Sequence, residues 1–311
     1  MEEKALVSVI ISIYNESVSL VSQAIDSIRK QTYEKLEIIL LLDCPENNEV
    51  KDYLQKLLKE DERVKCLFNE RNLGLVSSLN KGIAHSHGEF ICRMDADDIA
   101  KPDRIEKQLR FIAIHGLDIV GSYIELIEME GKKIGKSRSY PISNEYIYQY
   151  MKYSSPIPHP TWLIRSKVYN KLEGYRNIPH VEDYDFLVRA RICGFEMGIV
   201  PEELLYYRIN TQGITQKNIA KQKILSSYIA KQLKDNQIYD EEEISLYLKR
   251  NIKKQNVLEK YYTIGKSLKA GEKVKLRELF SFVFNYYNLF EVWQRLQCEL
   301  IMYKDGKYDY Y

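Results

Sequence analysis

The sequence predicts an α/β fold with a mostly parallel, doubly wound sheet, followed by a C-terminal α-helical extension. Three observations predict this architecture. Short apolar segments alternate with helix-like segments four times in the first hundred residues, at the spacing of βαβ units. A polar group follows the end of each apolar segment. From about residue 214 onward glycine and proline become rare, and apolar residues recur at helical intervals.

The first predicted strand, residues 7–14, is a nearly continuous apolar run, which is typical of a parallel strand buried on both faces. Further strands are predicted at residues 36–42 and 64–68, and from residue 90 into an acidic cluster. Apolar residues at helical spacing predict the helices between them, including residues 75–84. Because parallel strands end at one edge, we expect a nucleotide site there that contains Tyr14, Glu16, Asp43, Asn72, Asp95 and Asp97.

The acidic cluster lies within residues 90–99, where an apolar run leads into Asp95, Asp97 and Asp98, and Pro102 then restarts the chain as a helix. Carboxylates this close repel one another unless a cation or a proton compensates their charge. A hard divalent metal with a diphosphate on its far side fits that arrangement. The alternative is a polar turn before a helix, and for Asp98 capping that helix is the favoured interpretation.

The second half of the predicted catalytic region begins with a strand and hairpin, because residues 117–130 are apolar and β-branched before a turn at 131–133. Helical spacing returns at residues 144–153, whereas three prolines exclude a helix at 154–160. A further strand at 161–165 places Trp162 in the core. His159 has the residue type to approach donor phosphates or acceptor, but a structural or exposed role is favoured for it.

Several motifs together resemble the family 2 glycosyltransferases of the GT-A fold. They are residues 9–16, Asn72-Leu73-Gly74 with Asn80-Lys81-Gly82, residues 94–98 with Pro102, residues 181–186 and Tyr207-Arg208. The resemblance covers about residues 5–215. It implies an inverting transfer of a sugar from a nucleoside diphosphate donor to a hydroxyl group, of the kind that builds bacterial surface polysaccharides.

The resemblance also implies roles for individual residues. Asp97 is expected to bind Mg²⁺ or Mn²⁺ directly, and Asp95 to contact the ribose and the metal shell. Asp183 is expected to act as the general base, with Glu182 orienting it or touching acceptor hydroxyls. Capping and the helix dipole explain one acid there, but not Glu182, Asp183 and Asp185 together. The residues expected to bind the nucleotide are Ser12, Tyr14, Glu16, Asp43, Asn72 and Asp95. By the same resemblance Tyr14 stacks on the base and Asp43 contacts the edge of the base. An acid at that edge favours uracil.

Two positions depart from the family pattern. The second strand ends in Asp43-Cys44-Pro45-Glu46, where relatives often have Asp-Asp-Gly-Ser, so the identity of the base is less constrained than nucleotide binding itself. Asn210 stands where relatives often place a histidine that reaches the metal or the diphosphate. Either Arg208 or Lys217 would then help to neutralise the phosphates, or this loop has no such role.

We divide the chain into a catalytic domain, residues 1–213, and a helical region, residues 214–311. The helical region carries 18 Lys and Arg against 12 Asp and Glu, and its aromatic segment 279–293 follows Lys273, Lys275 and Arg277. That segment is expected to pack on its own domain or a partner subunit, with contact to an anionic membrane as the alternative. It is too short and interrupted to span a bilayer.

Neither a signal peptide at the first residues nor metal-ligand spacing among the five cysteines is visible, which predicts a cytoplasmic protein with a peripheral membrane contact as an alternative. A net charge of +2 disfavours nucleic acid as a partner. The expected partners are a nucleotide-sugar donor and a glycan, glycolipid or glycoprotein acceptor. Two other functions are considered. One is a non-catalytic nucleotide-sugar-binding subunit. The other is a sugar-phosphate nucleotidyltransferase, which is disfavoured because this sequence has no glycine-rich basic phosphate loop near its N-terminus.

Overall fold

The computed structural model describes residues 4–136, 140–178, 180–209, 218–269 and 286–305. Within these residues the strands form a single mixed sheet. They are β1 (Val7–Ile13), β2 (Leu36–Leu42), β3 (Val64–Phe68), β4 (Phe90–Asp95), β5 (Ile99–Ala100), β6 (Ile119–Ile127), β7 (Lys133–Lys136), β8 (Leu163–Arg165) and β9 (Met197–Arg208). Their order across the sheet is β3-β2-β1-β4-β8-β6-β9-β5, with β7 paired to β6.

The described α-helices cover both faces of this sheet, and the last four of them follow β9 in the chain. They are α1 (Val18–Arg29), α2 (Asn48–Glu60), α3 (Leu75–Ala84), α4 (Arg104–His115), α5 (Asn144–Met151), α6 (Ser166–Leu172), α7 (Glu182–Ile192), α8 (Ile219–Asp235), α9 (Glu241–Arg250), α10 (Ile252–Lys269) and α11 (Tyr286–Asp305). A 3₁₀ helix spans His159–Thr161, so the prediction that residues 154–160 are not helical was wrong for residues 159 and 160. Pro160 is tolerated there because the first turn of a helix needs no N–H from it.

The parallel half of the sheet confirms the predicted βαβ pattern. β1 lies between β2 and β4 and is parallel to both, with Val7 opposite Leu36 on one side and Phe90 on the other. The chain runs outward from β1 to β3 and then returns to form β4 on the other side of β1. The carboxyl ends of the paired strands β1 and β4 therefore form the topological switch point, where open α/β sheets bind their ligands.

Antiparallel strands extend the sheet beyond β4. The short strand β8 is inserted antiparallel between β4 and β6, and β9 then runs parallel to β6. β5, which directly follows the acidic cluster, pairs antiparallel with the end of β9 through Ile99 and Tyr206. The fold class is confirmed as mostly parallel, and this added pairing joins the acidic cluster to a strand about a hundred residues later.

Two apolar cores lie on the two faces of the sheet. The first is covered by α1, α2 and α4, and α1 buries Val21, Ala24, Ile25 and Ile28, the spacing of one helix face. The second contains Trp162, which is fully buried as predicted, together with α3, α6 and α7. Helix α7 is buried around most of its circumference, so its N-terminus is held rigidly at the edge of the sheet.

The C-terminal helices pack on this second core. Leu225, Ile229 and Leu233 of α8 belong to the same buried cluster as Trp162 and Phe186. At the far end, α11 returns to α5, where the Asp305 carboxylate accepts hydrogen bonds from the Ser143 hydroxyl at 2.9 Å and from the backbone N–H of Ile142. These helices therefore form one wall of the catalytic region. The predicted division at residue 213 falls in segment 210–217, outside the described residues, and stays a prediction.

Among the described helices, none is both long enough and apolar enough to cross a bilayer. The basic residues at 273–277 and the aromatic residues at 279–284, on which the predicted membrane or subunit contact depends, lie outside the described residues. That contact stays a prediction.

Candidate active site

The carboxyl ends of β1 and β4 meet at the switch point. Ser12 and Asp95 are register partners there, so their backbones lie side by side. The chain leaves β1 through Tyr14, whose side chain is 48% exposed, and the Glu16 carboxylate accepts a 2.7 Å hydrogen bond from the Tyr14 N–H. An exposed aromatic ring beside carboxylates at a strand end has the geometry to stack on a ligand. The structure thus brings four of the predicted site residues to one edge.

Asp43, at the end of β2, is almost fully buried and holds a loop. Its Oδ1 accepts hydrogen bonds of 2.8 Å from the Asn69 side-chain amide and from the Leu73 N–H, and its Oδ2 accepts one of 2.9 Å from the Gly74 N–H. Asn72 Oδ1 accepts from the same Gly74 N–H at 2.9 Å. Gly74 has a φ of +82° directly before α3, a conformation that favours glycine.

Asp43 and Asn72 therefore shape the turn that starts α3. Contact of either side chain with a base stays a prediction. Asn69 was not selected from the sequence, although its side chain links Asp43 to the Lys81 ammonium through Oδ1 at 2.7 Å.

The acidic cluster forms a tight turn between β4 and β5. Asp95 and Asp97 are half-buried, whereas Asp98 is 1% exposed. Burial, and then the negative charges of Asp95 and Glu16, raise the pKa of Asp97 to about 6. For Asp98, burial and the charges of its two neighbours raise the pKa well above its ordinary range. The turn therefore concentrates more negative charge than the surrounding residues compensate.

The expectation that Asp98 caps the following helix was wrong. Asp103 stands at the N-cap of α4, and Asp98 Oδ1 instead accepts a 2.9 Å hydrogen bond from the Arg208 N–H. The reason is the pairing of β5 with β9, which turns Asp98 toward β9 rather than toward α4. Its Oδ2 is buried without a hydrogen-bond partner among the described residues.

Arg208, the last residue of β9, holds this turn in place through hydrogen bonds from its guanidinium. Its Nε donates to the Asp97 carbonyl oxygen at 2.7 Å, its Nη1 donates to the Glu128 carbonyl oxygen at 3.0 Å and to that of Met129, and its Nη2 donates to Gln23 Oε1 at 3.3 Å. The guanidinium is thus occupied by protein oxygens and does not extend toward a diphosphate. Asn210 and Lys217, the other residues considered for phosphate neutralisation, lie outside the described residues.

The residues at this edge fit a divalent cation that is shared with a substrate. Among the described residues, no group of three or more His, Cys, Asp and Glu side chains is arranged to hold a metal by itself. Mg²⁺ is commonly held by one or two carboxylates together with substrate phosphates and water. Asp95 and Asp97 supply such a pair, and the raised pKa of Asp97 indicates negative charge that a cation would stabilise.

The second pair of carboxylates begins α7. The left-handed backbone of His180, with a φ of +76°, turns the chain into Glu182 and Asp183, which are both half-buried. Burial and the charge of Asp183 raise the pKa of Glu182 to about 7, although the His180 N–H and the charge of Arg93 oppose the shift. Burial also raises the pKa of Asp183. A carboxylate with a raised pKa is a stronger proton acceptor once it is ionised.

Asp185, grouped with these two acids on sequence grounds, has a different environment. It is fully buried and paired with Arg176 at 2.9 Å and with Arg189 at 2.8 Å, measured from each Nε to Oδ2. Arg189 also donates to the carbonyl oxygens of Leu172 and Gly174 at 2.8 Å. Asp185 therefore anchors α7, and only Glu182 and Asp183 face the site.

Arg93 is a site residue that the sequence analysis missed. It lies in β4 and is 4% exposed, and its Nη2 donates to Asp95 Oδ1. Its positive charge also acts on both Glu182 and Asp183 and lowers their pKa values against the effect of burial. An arginine inside the otherwise apolar segment 90–94 is the signal that could have identified it, because unpaired charges are rarely buried.

His159 lies close to this arginine but is held by aromatic neighbours. Its Nε2 shares a 2.9 Å hydrogen bond with the Tyr175 hydroxyl, and its ring packs edge-on against Trp162 at 4.4 Å between centroids. Burial, and then the charge of Arg93, lower its pKa well below the ordinary value. This neutral, packed side chain agrees with the structural role that the sequence analysis favoured.

A pocket of about 210 Å³ opens beside Asp183. Residues 153–155, 180, 181, 183 and 184 of the catalytic region line one part of its wall. The C-terminal helices line the other part, with Gln222 and Ser226 of α8, Lys254 and Leu258 of α10, and Gln294 of α11 among the lining residues. Hydroxyl, amide and aromatic groups around a concave space suit a polyhydroxylated ligand. The C-terminal helices thus complete a cavity that reaches Asp183 of the second carboxylate pair.

Comparisons with known proteins agree with this geometry. The family model described as glycosyl transferase family 2 matches residues 8–192. An uncharacterized glycosyltransferase of Methanocaldococcus jannaschii is 32% identical over 230 residues, which cover 74% of this chain and 79% of that protein. The O-antigen biosynthesis glycosyltransferase WbnJ of Escherichia coli is 32% identical over 216 residues, 68% of this chain and 83% of that protein.

A solved structure shares the fold. The crystal structure of S. aureus TarS 1–349 in complex with UDP-GlcNAc matches with a TM-score of 0.59 at 17% identity, covering 89% of this chain and 78% of that chain. The fold is therefore that of the GT-A transferases. Since the family model spans more than half of the chain, and a relative of similar length exceeds 30% identity, this chain belongs to glycosyl transferase family 2 and is a glycosyltransferase.

Proposed function

We propose that this chain is a metal-dependent, inverting glycosyltransferase that uses a UDP-sugar donor and a hydroxyl acceptor. The observation that carries the proposal is the presence of two carboxylate pairs, Asp95 with Asp97 and Glu182 with Asp183, around one buried arginine: Arg93 donates to Asp95, and its charge acts on both acids of the second pair. A single displacement needs such opposed groups, because the leaving diphosphate and the attacking hydroxyl lie on opposite faces of the sugar.

The donor occupies the switch point between β1 and β4. Asp95 and Asp97 would hold Mg²⁺ or Mn²⁺, which would supply the positive charge that stabilises the leaving diphosphate. Tyr14 stacks on the base, a contact that contributes about 1–3 kcal/mol in other nucleotide complexes. UDP is the proposed nucleotide because Asp43 follows the family pattern and because the TarS structures contain UDP or UDP-GlcNAc.

Asp183 acts as the general base, and Glu182 orients the acceptor. The acceptor hydroxyl transfers its proton to the Asp183 carboxylate while its oxygen forms a bond to the anomeric carbon. At the same time the bond from that carbon to the diphosphate oxygen breaks, so the electron pair leaves with the nucleotide and the configuration inverts. The acceptor enters through the pocket that α8, α10 and α11 complete.

The proposed acceptor is a growing bacterial-type surface glycan, free or attached to a lipid or protein. Two relatives support this class by name: the O-antigen enzyme of E. coli, and an amylovoran biosynthesis glycosyltransferase of Erwinia amylovora that is 28% identical over 68% of this chain and 79% of that protein. The hydroxyl and amide groups of Ser155, Gln222 and Gln294 in the pocket suit such an acceptor.

Thermal unfolding with UDP, GDP, CDP and dTDP, each with and without Mn²⁺, tests the donor assignment. A ligand at a hundredfold excess over its dissociation constant stabilises the folded state by about 2.7 kcal/mol, which shifts the melting temperature visibly. We expect a shift with UDP that depends on Mn²⁺. If the melting temperature rises only with another nucleotide, the base of the donor is that nucleotide's base and not uracil. If it rises with none of the four nucleotides, the proposed donor site is refuted.

A further inference from the structure

Arg93 carries hydrogen-bond donors that the protein does not use. The side chain projects from β4 toward the second core, and its Nη2 is bound to Asp95. Its Nε and Nη1 are buried and have no hydrogen-bond partner among the described residues. Buried donors without a partner are rare, because each costs the desolvation of the group. Such groups inside an active site indicate that a ligand atom completes them.

The neighbouring polar groups are already engaged with one another. The Tyr175 hydroxyl is shared between His159 Nε2 at 2.9 Å and the Tyr169 hydroxyl at 3.2 Å. The charge of Arg93 acts to lower the pKa values of Tyr175, Tyr169 and His159, so its guanidinium lies near these three side chains. Since their hydrogen bonds are directed at each other, the free N–H groups of Arg93 have no acceptor on that side.

The position of Arg93 identifies the ligand atoms. Its Nη2 is bonded to Asp95 of the proposed metal-binding pair, and its charge acts to lower the pKa values of Glu182 and Asp183. If the proposed transfer is correct, the sugar ring must lie between these two pairs, because the anomeric carbon bridges the diphosphate and the attacking oxygen. Arg93 thus lies beside the space that the transferred sugar occupies.

We propose that Arg93 binds the transferred sugar, with its Nε–H and Nη1–H groups donating hydrogen bonds to hydroxyl oxygens of the ring. Its Nη2 remains on Asp95, so one guanidinium links the sugar to the carboxylate that also faces the nucleotide. This inference rests on the proposed function and deepens it, since it assigns recognition of the sugar, separately from the nucleotide, to one residue.

The test compares the affinity for a UDP-sugar with the affinity for UDP in each variant. Calorimetry in the presence of Mn²⁺ measures UDP, UDP-glucose, UDP-galactose and UDP-GlcNAc, and the ratio isolates the contribution of the sugar. For wild type we expect the best UDP-sugar to bind about tenfold more tightly than UDP, the effect of one charged hydrogen bond. Arg93→Lys should reduce that ratio to about threefold, and Arg93→Met should remove it.

Arg165→Met is the matched control, because this arginine lies in the adjacent strand β8 at the opposite edge of the sheet, opposite Phe90. Its ratio should equal that of wild type. Arg93→Lys keeps the charge beside Asp95 and so decides the question if Arg93→Met does not fold.

An unchanged ratio in Arg93→Lys and Arg93→Met would overturn the inference, as would a wild type that binds no UDP-sugar more tightly than UDP. Both outcomes leave UDP binding intact and therefore differ from failure of the proposed function, in which wild type binds no UDP.

Discussion

The Nε–H of Arg208 donates a 2.7 Å hydrogen bond to the carbonyl oxygen of Asp97, which lies 111 residues earlier in the chain. The Arg208 N–H also donates to the Asp98 carboxylate, and the pairing of Ile99 with Tyr206 continues the contact. The turn that carries the proposed metal ligands is therefore attached to the end of β9. Because the guanidinium is buried and each of its three nitrogens donates to a protein oxygen, we infer that it positions the turn rather than contacting the substrate.

Replacement of Arg208 by Met should disturb both stability and donor binding. Buried carbonyl oxygens and the Gln23 amide would lose their donor, and leaving such groups unpaired costs about 1–3 kcal/mol. Denaturant unfolding should show that loss, and calorimetry should show weaker UDP binding with Mn²⁺. Arg29→Met, which removes a partly exposed ion pair to Asp61, is the control and should leave UDP binding unchanged. Normal UDP affinity in the Arg208 variant would contradict the positioning role.

Asp97→Asn should remove the part of UDP binding that depends on Mn²⁺. The amide keeps the size of the side chain but lacks the charge that a hard cation requires. Thermal unfolding with saturating UDP should therefore give the same melting temperature with and without Mn²⁺ in the variant. Asp103→Asn, an exposed acid before α4 that pairs with Lys107, should behave like wild type. Retention of the Mn²⁺ effect in Asp97→Asn would refute the metal assignment.

Asp183→Asn should abolish transfer while leaving the donor site intact. Loss of a general base typically lowers the rate about 10²–10⁴-fold, whereas UDP binding depends on groups at the other pair. Product formation measures the first effect and calorimetry with UDP the second. Glu241→Gln, which alters an exposed acid in the first turn of α9, should retain full activity. Full transfer activity in Asp183→Asn would exclude this residue as the base.

The pH dependence of kcat/KM for the acceptor should report the raised pKa of Asp183. A base is active when it has lost its proton, so activity should rise with pH, and the inflection should lie above the ordinary aspartate value of about 3.9. Because the charge of Asp183 raises the pKa of Glu182 to about 7, Asp183 loses its proton first, while Glu182 is still neutral. Glu182→Gln should therefore leave the inflection near its wild-type position. A shift of the inflection to lower pH would show that Glu182 is already charged when Asp183 titrates.

Glu37, a buried residue of β2 opposite Ser8 of β1, should contribute stability that depends on pH. Burial opposes its charge, but hydrogen bonds from the Lys65 ammonium, the Ser8 hydroxyl and His87 outweigh burial and lower its pKa to about 2. Because the pKa of Glu37 is lower in the folded protein than in the unfolded chain, where it is about 4.3, its charged form stabilises the fold. That stabilisation is present above about pH 4.3 and is lost as the pH falls toward 2.

In Glu37→Gln the free energy of unfolding should fall by about 1–3 kcal/mol at pH 7 and vary less between pH 5 and 2 than in wild type. Denaturant unfolding at several pH values measures both. Equal pH dependence in the two proteins would show that Glu37 is not the group responsible. Glu49→Gln, an exposed acid in the first turn of α2, is the control.

The first half of the fold could be predicted closely because its signals are local. β2, β3 and α3 begin and end at the predicted residues, since strands buried on both faces are continuous apolar runs and α3 has a regular apolar face. The same locality explains why Trp162 could be placed in the core. Insertion of β8 antiparallel between β4 and β6 has no such signal, because its three residues read equally well as any short apolar strand.

The candidate site divides in the same way. Residue type and strand-end position were sufficient to select Asp95 and Asp97, and the resemblance to the family selected Glu182 and Asp183 at the start of a helix. They were not sufficient to show that Asp185 is structural, because only packing reveals that it is paired with the buried Arg189 and the partly buried Arg176. Arg93 was missed for the same reason, since its role depends on what surrounds it.

The sequence by itself determined the order of strands and helices, the family, and the carboxylates that reach the edge of the sheet, because periodicity and motifs are properties of neighbouring residues. Only the tertiary structure decided what each charged group faces. Asp98 turns to β9, Arg208 donates to the turn of the acidic cluster, and Arg93 bonds to Asp95 while its charge acts on Glu182, because segments distant in sequence meet there. Burial and pairing are produced by those long-range contacts, and they set which carboxylates stay structural and which remain available for chemistry.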